Sequence, residues 1–479
     1  MSLKRTAITS AFWAVGESWA LRAISAAVFL ILARLVDPAA FGLVALAQVY
    51  VMTVQTLSDQ GLATALQQRE AIEPEHKDSA FWANLVVGAL LALATLAIAE
   101  PLARLYGEPR LAPVLRWFGL TPFLAGFSIV QQALMRRAMR WRELAMRQVI
   151  GSFIGGAVGL AMAFGGMGVW ALVGQALSTQ VISNIVLWSI ADWRPRFAFS
   201  WRHFRDLFGF GLNVLATNII RVIGFQADRL IMGYFLGAAD LGYYSVAQRV
   251  VGIVTDFVAG STERIVVPLF ARIQDDRERV NRGLMTAQEN LSLIVIPAFV
   301  GVAAVAPALI RAGVGPQWDP SVLPTRILAF YGLGFCLAFF FGHVLTALGR
   351  PSLRLVVVTC QALSLAVLVL AGVRFGIAGV AGAVAVNQLL FYMVELLVLK
   401  GVARFPLGAY LARAWPPALA AALMAGAVLL LEQAMAGERA LIRLPAAVGL
   451  GVLVYGGALL VISRHRLLGL VELLRRLRR

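Results

Sequence analysis

Continuous apolar runs recur along the whole chain, and each is long enough to cross a lipid bilayer as a helix, which takes about 20 residues. Of the 479 residues, 60% are hydrophobic, and the mean hydropathy of +0.80 is too high for a soluble protein of this length. The strands of a membrane β-barrel would alternate apolar with polar residues, and these runs do not. We therefore predict an all-α protein that crosses the membrane many times.

Fourteen of these runs are predicted to span the membrane. Cytoplasmic segments of membrane proteins are enriched in Lys and Arg. With a cytoplasmic N-terminus, 28 of the 42 Lys and Arg residues fall in inner segments, nine in outer segments and five within helices. This asymmetry predicts that both termini are cytoplasmic, which an even number of helices requires. The predicted helices cover 11–33, 41–66, 80–99, 114–134, 148–165, 168–190, 209–236, 241–268, 284–306, 323–348, 354–372, 377–399, 414–433 and 442–463.

A weak internal repeat suggests how the helices are grouped. FGLVALAQ at 41–48 aligns with LGYYSVAQ at 241–248, an offset of 200 residues. Because each half would hold six helices, an even number, the two halves should share one orientation in the membrane. The tail carries leucines at helical spacing and a basic face, as expected for a helix on the anionic inner leaflet. The predicted domains are two six-helix lobes at 1–200 and 201–405, two additional membrane helices at 406–463 and a basic cytoplasmic tail at 464–479.

The stretch at 221–264 holds most of the charge predicted at membrane depth. It resembles two apolar helices joined by a tight turn, and ionised groups in such helices normally face a protein interior or a watery cavity. A turn about residues 238–239 would bring two charged pairs level with each other, and their seven-residue spacing puts each helix's charges on one face. The pairs either link the two helices structurally or belong to a functional site. The predicted ion pairs are Arg221 with Asp256 and Asp228 with Arg249.

Three further arginines at membrane depth, Arg22, Arg229 and Arg264, are left to attract an anion if those pairs form. A guanidinium stays protonated and binds phosphate oxygens through two parallel hydrogen bonds. A water-filled cavity with such groups suits the phosphate-bearing head group of a lipid and would repel a purely cationic drug.

Two carboxylates, Glu17 and Asp59, are expected at similar depth toward the cytoplasmic side, because the first hairpin turns near 37–38. Close carboxylates in a low dielectric favour holding a proton or a cation, so they are candidates for coupling to an ion gradient. Alternatively, Asp59 stabilises the helix end at 58–61.

Other features of the chain exclude several function classes. No phosphate-binding loop of the nucleotide-hydrolysing type is present, and no catalytic constellation stands out, so we predict neither an enzyme nor a cofactor. The four histidines have no ligand spacing, so no metal site is predicted. The two cysteines imply no disulfide framework. The first apolar run lacks a small-residue cleavage site and is interpreted as a retained helix.

Several motifs, taken together and in order, resemble a known family. They are LARLVDPAAFGLVALAQ at 32–48, LSDQGLATALQQR at 57–69, ADRLIMGYFLGAADLGYYSVAQRV at 227–250, VPLFARIQDDRERV at 267–280, GPQWDPSV at 315–322 and GRPSL at 349–353. The sequence is similar to the polysaccharide transporter branch (colanic-acid and lipopolysaccharide exporters, Wzx-type flippases) of the multidrug/oligosaccharidyl-lipid/polysaccharide flippase superfamily.

This resemblance implies a two-lobed twelve-helix core with two added helices in the bacterial inner membrane. It implies that an undecaprenyl-diphosphate-linked oligosaccharide, a repeat unit for O-antigen, capsule or exopolysaccharide, is moved to the outer leaflet by alternating access. Anionic lipids at the cytoplasmic face and a polysaccharide polymerase are the implied partners, and nucleic acid is not. The cavity residues implied for the anionic head group are Arg22, Arg221, Arg229, Arg249 and Arg264.

Three other interpretations stay open at this point. A cation-coupled multidrug exporter of the same superfamily would have an acid-rich cavity without buried arginines. A peptidoglycan lipid-precursor flippase would share the lipid-diphosphate chemistry but fits the motifs less well. A membrane scaffold of polysaccharide assembly would tolerate substitution of the cavity arginines.

Overall fold

The computed structural model of the chain describes residues 21–59, 62–69, 72–206, 224–272, 277–435 and 437–477. It describes the backbone but not the side chains at 58–59, 68, 258–272, 277, 343, 346–347, 351 and 464–477. The described residues are mostly helical and include no strand, which confirms the predicted all-α class. The chain forms two compact units, Met1–Ser245 and Val246–Arg479.

The first unit contains ten helices in its described part. α4 begins where a proline occupies the first turn, a position in which the missing N–H of proline costs no hydrogen bond. The helices are α1 (21–35), α2 (Pro38–Asp59), α3 (Leu62–Gln68), α4 (Pro74–Leu105), α5 (Leu111–Phe118), α6 (Leu120–Gly126), α7 (Ile129–Arg137), α8 (Trp141–Phe164), α9 (Val169–Ile190) and α10 (201–206). The next helix, α11 (Ala227–Arg272), begins in the first unit and ends in the second.

The second unit continues with six long helices. A buried ion pair between Glu432 and Arg443 joins the last two of them, so both charges are neutralised where water is excluded. The helices are α12 (Arg277–Gly313), α13 (Val322–Ala347), α14 (Pro351–Gly372), α15 (Gly376–Ala403), α16 (Leu407–Ala434) and α17 (Ala440–Leu477).

Nine of the described helical stretches are long and apolar enough to cross a membrane, and a tenth is counted if α5 to α7, bent by 42°, form one span. One of the nine, Ser352–Ala403, contains two of the predicted helices. The predicted helices at 11–33 and 209–236 lie partly outside the described residues. The protein therefore crosses the membrane many times, while the exact number of fourteen stays a prediction.

Large apolar side chains are exposed on several of these helices. Leu93 in α4 is 62% exposed, Leu430 in α16 is 69% exposed and Val461 in α17 is 88% exposed. A soluble protein rarely leaves such an extended apolar surface in water, whereas lipid is as apolar as these side chains. The exposed faces are those that a polytopic membrane protein turns toward the bilayer.

Small residues allow α8 and α9 to pack closely. A Cβ added to Gly155 would lie 2.0 Å from Thr179 Oγ1, and one added to Gly151 would lie 2.0 Å from Ser183 Oγ. Glycines four residues apart permit this approach of two membrane helices. The two helices are joined by the tight turn predicted at 165–168.

An aromatic cluster fixes the segment after α9 to α3, α4 and α7. Phe81 in α4 is buried, and its ring contacts Trp188 and Trp193 at centroid distances of 6.0 and 5.9 Å. Leu62 and Leu66 from α3 complete the same cluster. The segment 191–206 is therefore held against the first turns of α4.

Candidate functional site

The charged hairpin at the centre of the sequence turns at Gly237. Its φ of +84° interrupts the helical backbone within α11. Glycine adopts this conformation without the steric cost that a Cβ would add. The structure thus confirms a tight turn at this point of the chain, one residue before the position used to pair the charges.

Asp228, on the first arm of the hairpin, is buried and accepts a hydrogen bond from the second arm. The hydroxyl of Tyr244 donates to its Oδ2 at 2.6 Å, and both side chains are shielded, with exposures of 4% and 0%. A hydrogen bond to a carboxylate is about twice as strong as one between neutral groups, which offsets part of the cost of burying Asp228. This bond ties the two arms together across the turn.

α2 runs antiparallel to the first arm of the hairpin. Three contacts define its direction. Gly42 lies against Ala238 and Leu46 lies against Gly233. Met52 Sδ accepts a hydrogen bond at 3.2 Å from Nε2 of Gln226, the residue before α11. The same register places Asp228 and Arg229 beside the middle of α2, near Tyr50. The first arm of the hairpin therefore packs along α2.

The closest helix crossing in this region joins equivalent positions of the internal repeat. A Cβ on Gly42 would lie 1.7 Å from the Ala238 carbonyl oxygen, and one on Gly242 would lie 1.9 Å from the Pro38 carbonyl oxygen. In the repeat, Pro38 is equivalent to Ala238 and Gly42 is equivalent to Gly242, each pair being 200 positions apart. Each glycine therefore contacts the residue that precedes its repeat equivalent by four positions. The contact is therefore self-complementary in the manner of a two-fold interface.

The other predicted site residues differ in how fully the structure describes them. Arg22, Arg229 and Arg249 are half-buried, and Asp256 is exposed. Glu17 and Arg221 lie outside the described residues. Only the backbone is described at Asp59 and Arg264. The two predicted ion pairs and the five-arginine set accordingly stay predictions.

Two of the predicted arginines lie on the hairpin, one on each arm, and both are half-buried. Arg229 follows the buried Asp228 directly, and Arg249 lies on the second arm, five residues beyond Tyr244. Charges act over longer distances where water is scarce than in bulk solvent. Such groups are suited to attract and hold an anion without reacting with it.

Two arrangements were missed by reasoning from the sequence. Tyr244 belongs to one of the family motifs, but the sequence does not identify it as the partner of Asp228, although the two residues lie seven and nine positions from Gly237. In α14 and α15, Gln361 Nε2 donates to Gln388 Oε1 at 3.1 Å and Ser364 Oγ to Asn387 Oδ1 at 2.5 Å. The signal for this second group was a set of amide residues inside apolar runs, where an unpaired amide would be costly.

Comparison with known proteins identifies a family model, described as polysaccharide biosynthesis protein, that matches residues 31–323. The succinoglycan biosynthesis transport protein ExoT of Rhizobium meliloti (strain 1021) is 32% identical over 291 residues, which are 60% of this chain and 58% of ExoT. The lipopolysaccharide biosynthesis protein WzxC of Escherichia coli (strain K12) is 23% identical over 335 residues, 70% of this chain and 68% of WzxC. The match thus spans less than two thirds of the length of ExoT.

Among solved structures, the chain is similar to the lipid II flippase MurJ in an inward closed conformation. The TM-score is 0.77 at 14% identity, and the alignment covers 95% of this chain and 99% of MurJ. At this identity the likeness concerns the fold. It fits the fold of a polytopic membrane protein.

Proposed function

Since the chain belongs to the polysaccharide biosynthesis protein family, we propose that it is a flippase for a lipid-linked oligosaccharide in the bacterial inner membrane. The substrate is an undecaprenyl-diphosphate-linked repeat unit of O-antigen, capsule or exopolysaccharide. The observation that carries this proposal is the match over residues 31–323, because it includes α2 and the first arm of the charged hairpin. The names of ExoT and WzxC, which refer to polysaccharide transport and biosynthesis, point the same way.

The proposed site is a cationic cavity that binds the diphosphate. Arg229 and Arg249 are half-buried on the two arms of one hairpin, and Arg22 is half-buried in α1. Arg221 and Arg264 complete the set by sequence. The diphosphate would bind these groups while the lipid tail stays in the bilayer, and alternating access would open the cavity to each side in turn.

The proposed architecture has fourteen membrane helices in two six-helix lobes, 1–200 and 201–405, with two helices over 406–463 and both termini in the cytoplasm. The crossing of Gly42 with Gly242 supports the two lobes, because repeat-equivalent positions meet there. The basic tail at 464–479 would lie on anionic lipids of the inner leaflet.

The proposed function involves no covalent step and no cofactor. Glu17, Asp59, Asp228 and Asp256 are candidates for coupling to an ion gradient or for ion pairing with the arginines. A polysaccharide polymerase is the expected partner on the outer side, since the transported repeat units need to be joined there.

The experiment that tests this function is leaflet accessibility of a lipid-linked glycan in proteoliposomes. We expect protein-dependent appearance of the glycan on the far leaflet, and its loss in the double variant Arg229→Ala/Arg264→Ala. The corresponding lysine variants should keep part of the activity, because lysine retains the charge but not the two-pronged hydrogen bonding. Arg374→Ala is the matched control, since Arg374 is exposed and lies in the turn between α14 and α15.

Four outcomes would contradict parts of the proposal. Transport that survives the Arg229→Ala/Arg264→Ala change would exclude the arginine cavity. Efflux of a cationic drug without glycan movement would favour the multidrug exporter, and movement of a peptidoglycan lipid precursor alone would favour the precursor flippase. Normal polysaccharide output in cells that carry the arginine variant, with no glycan movement in vesicles, would favour a scaffold.

A further inference from the structure

Three side chains that can bind a metal ion converge at the first turn of α4. They are Glu73, which caps the helix, His76 in its first turn, and His203 in α10, and one ligand atom of each lies within 4.8 Å of the others. His203 and Glu73 are 130 residues apart in the chain, and His203 Nε2 is 2.9 Å from Glu73 Oε2. The two imidazole rings meet edge to face with a centroid distance of 4.5 Å.

Ordinary structural roles explain only part of this cluster. Glu73 and His76 form a capping box, in which the Glu73 amide donates to His76 Nδ1 at 3.3 Å. The other ring nitrogen, His76 Nε2, has no hydrogen-bond partner among the described residues. It is buried, since the side chain of His76 is only 1% exposed. A buried nitrogen without a partner costs free energy. The capping box accordingly does not account for the placement of His76.

We propose that Glu73, His76 and His203 bind a divalent transition-metal ion of the Zn²⁺ type. One carboxylate and two imidazoles are a common three-ligand set for Zn²⁺, with a fourth position open to water. A neutral imidazole has one nitrogen free of a proton. In the metal-free protein His76 Nδ1 accepts the Glu73 amide, so the proton is on Nε2. Metal binding at Nε2 moves this proton to Nδ1 and breaks the bond from the Glu73 amide. Zn²⁺ holds neighbouring ligand atoms about 3.4 Å apart in a tetrahedral site. Rotation of the exposed Glu73 side chain would bring its carboxylate to this distance from the two imidazole nitrogens.

A second layer of contacts supports the ligands. Ser200 Oγ is 2.6 Å from His203 Nδ1, and with a metal ion on Nε2 the Nδ1–H would donate to this hydroxyl, which fixes the ring orientation. The segment that carries His203 is anchored to α4 independently of the metal. The Arg196 amide donates to Asp78 at 3.1 Å, and the Ser200 amide donates to Ser79 Oγ at 2.9 Å.

The cluster lies where water and ions can reach it. α4 has 32 residues and is about 48 Å long, more than the roughly 30 Å of the hydrocarbon core. Its first turn carries Glu75 and Lys77, which belong outside the lipid, and the Glu73 side chain is 63% exposed. The bound ion would hold segment 191–206 against the end of α4. This proposal does not depend on the substrate proposed above.

The test uses the full-length protein, purified in detergent with a tag that contains no histidine and freed of metal with a chelator. Co²⁺ is the probe, because its visible absorption strengthens in a tetrahedral site, and Zn²⁺ is the competitor. We expect one Co²⁺ per chain, displaced by Zn²⁺, and a melting temperature that rises when Zn²⁺ is added. Glu73→Gln and His203→Ala should each weaken Co²⁺ binding about tenfold or more.

Glu75→Gln is the matched control, since it removes an exposed carboxylate two residues away and should leave Co²⁺ binding unchanged. Ser200→Ala should weaken binding less than His203→Ala. Because the side chains of Glu73 and His203 are partly exposed, both variants are expected to fold, and circular dichroism checks this. The proposal is wrong if the wild-type protein binds no Co²⁺, or if the folded Glu73→Gln and His203→Ala variants bind it as the wild type does.

Discussion

At the scale of single residues, the buried carboxylate of Asp228 shows how this protein keeps charge inside apolar helices. The carboxylate is almost fully shielded and accepts a short hydrogen bond from Tyr244. Membrane-embedded carboxylates survive only when such partners lower the cost of burial. The bond also joins the two arms of the hairpin on which Arg229 and Arg249 lie.

Replacing Tyr244 with phenylalanine should destabilise the protein. The change removes the donor to Asp228 and keeps the ring, and losing a hydrogen bond to a charged group costs about 1.5–3 kcal/mol. We expect a lower melting temperature for the purified variant, measured by thermal unfolding in detergent. Tyr234→Phe is the control, because Tyr234 is 51% exposed. Equal melting temperatures for the two variants would show that the bond contributes nothing to stability.

At the scale of helices, glycines decide which elements can approach each other. α2 and the second arm of α11 cross with backbone against backbone at Gly42 and Gly242. The internal repeat in the sequence marks this place, since the two glycines are 200 residues apart within aligned stretches. Small residues at such crossings replace the hydrophobic driving force that helices lack inside lipid.

Gly42→Ala and Gly242→Ala should each push these helices apart. Either new methyl group would lie closer than 2 Å to a carbonyl oxygen, and overpacking of this kind costs about 1–3 kcal/mol. We expect reduced yield of folded protein and a lower melting temperature. Gly252→Ala is the matched control within α11, because nothing lies within 4 Å of a Cβ added there. If all three variants behave alike, the close crossing is not important for stability.

At the scale of the whole molecule, the distribution of basic residues predicts which loops face the cytoplasm. The exposed apolar faces are those of a membrane protein, and the positive charges predict its orientation. With cytoplasmic termini, the loops near residues 142 and 202 lie inside and those near 109 and 437 lie outside.

Single cysteines test this topology in a background in which Cys336 and Cys360 are replaced. A membrane-impermeant maleimide should label Pro109→Cys and Gly437→Cys in intact spheroplasts. Arg142→Cys and Arg202→Cys should be labelled only after permeabilisation, because the bilayer excludes the reagent. Labelling of Arg142→Cys in intact spheroplasts would reverse the predicted orientation of this part of the chain.

The sequence by itself determined the helical class, the positions of most long helices and the tight turns at 165–168 and Gly237. These features depend on local properties of the chain. Each apolar run needs to be long enough to cross the bilayer, and glycine adopts a positive φ without steric cost. The family resemblance could also be recognised from the sequence alone, because each of its motifs is a contiguous stretch of residues.

Only the tertiary structure decided which distant residues meet. Tyr244 reaches Asp228 and His203 reaches Glu73 because helix packing brings their backbones together, and no periodicity in the chain encodes that contact. The proposed metal site cannot be recognised from the spacing of the histidines for the same reason, because His203 lies 130 residues after Glu73 in another element.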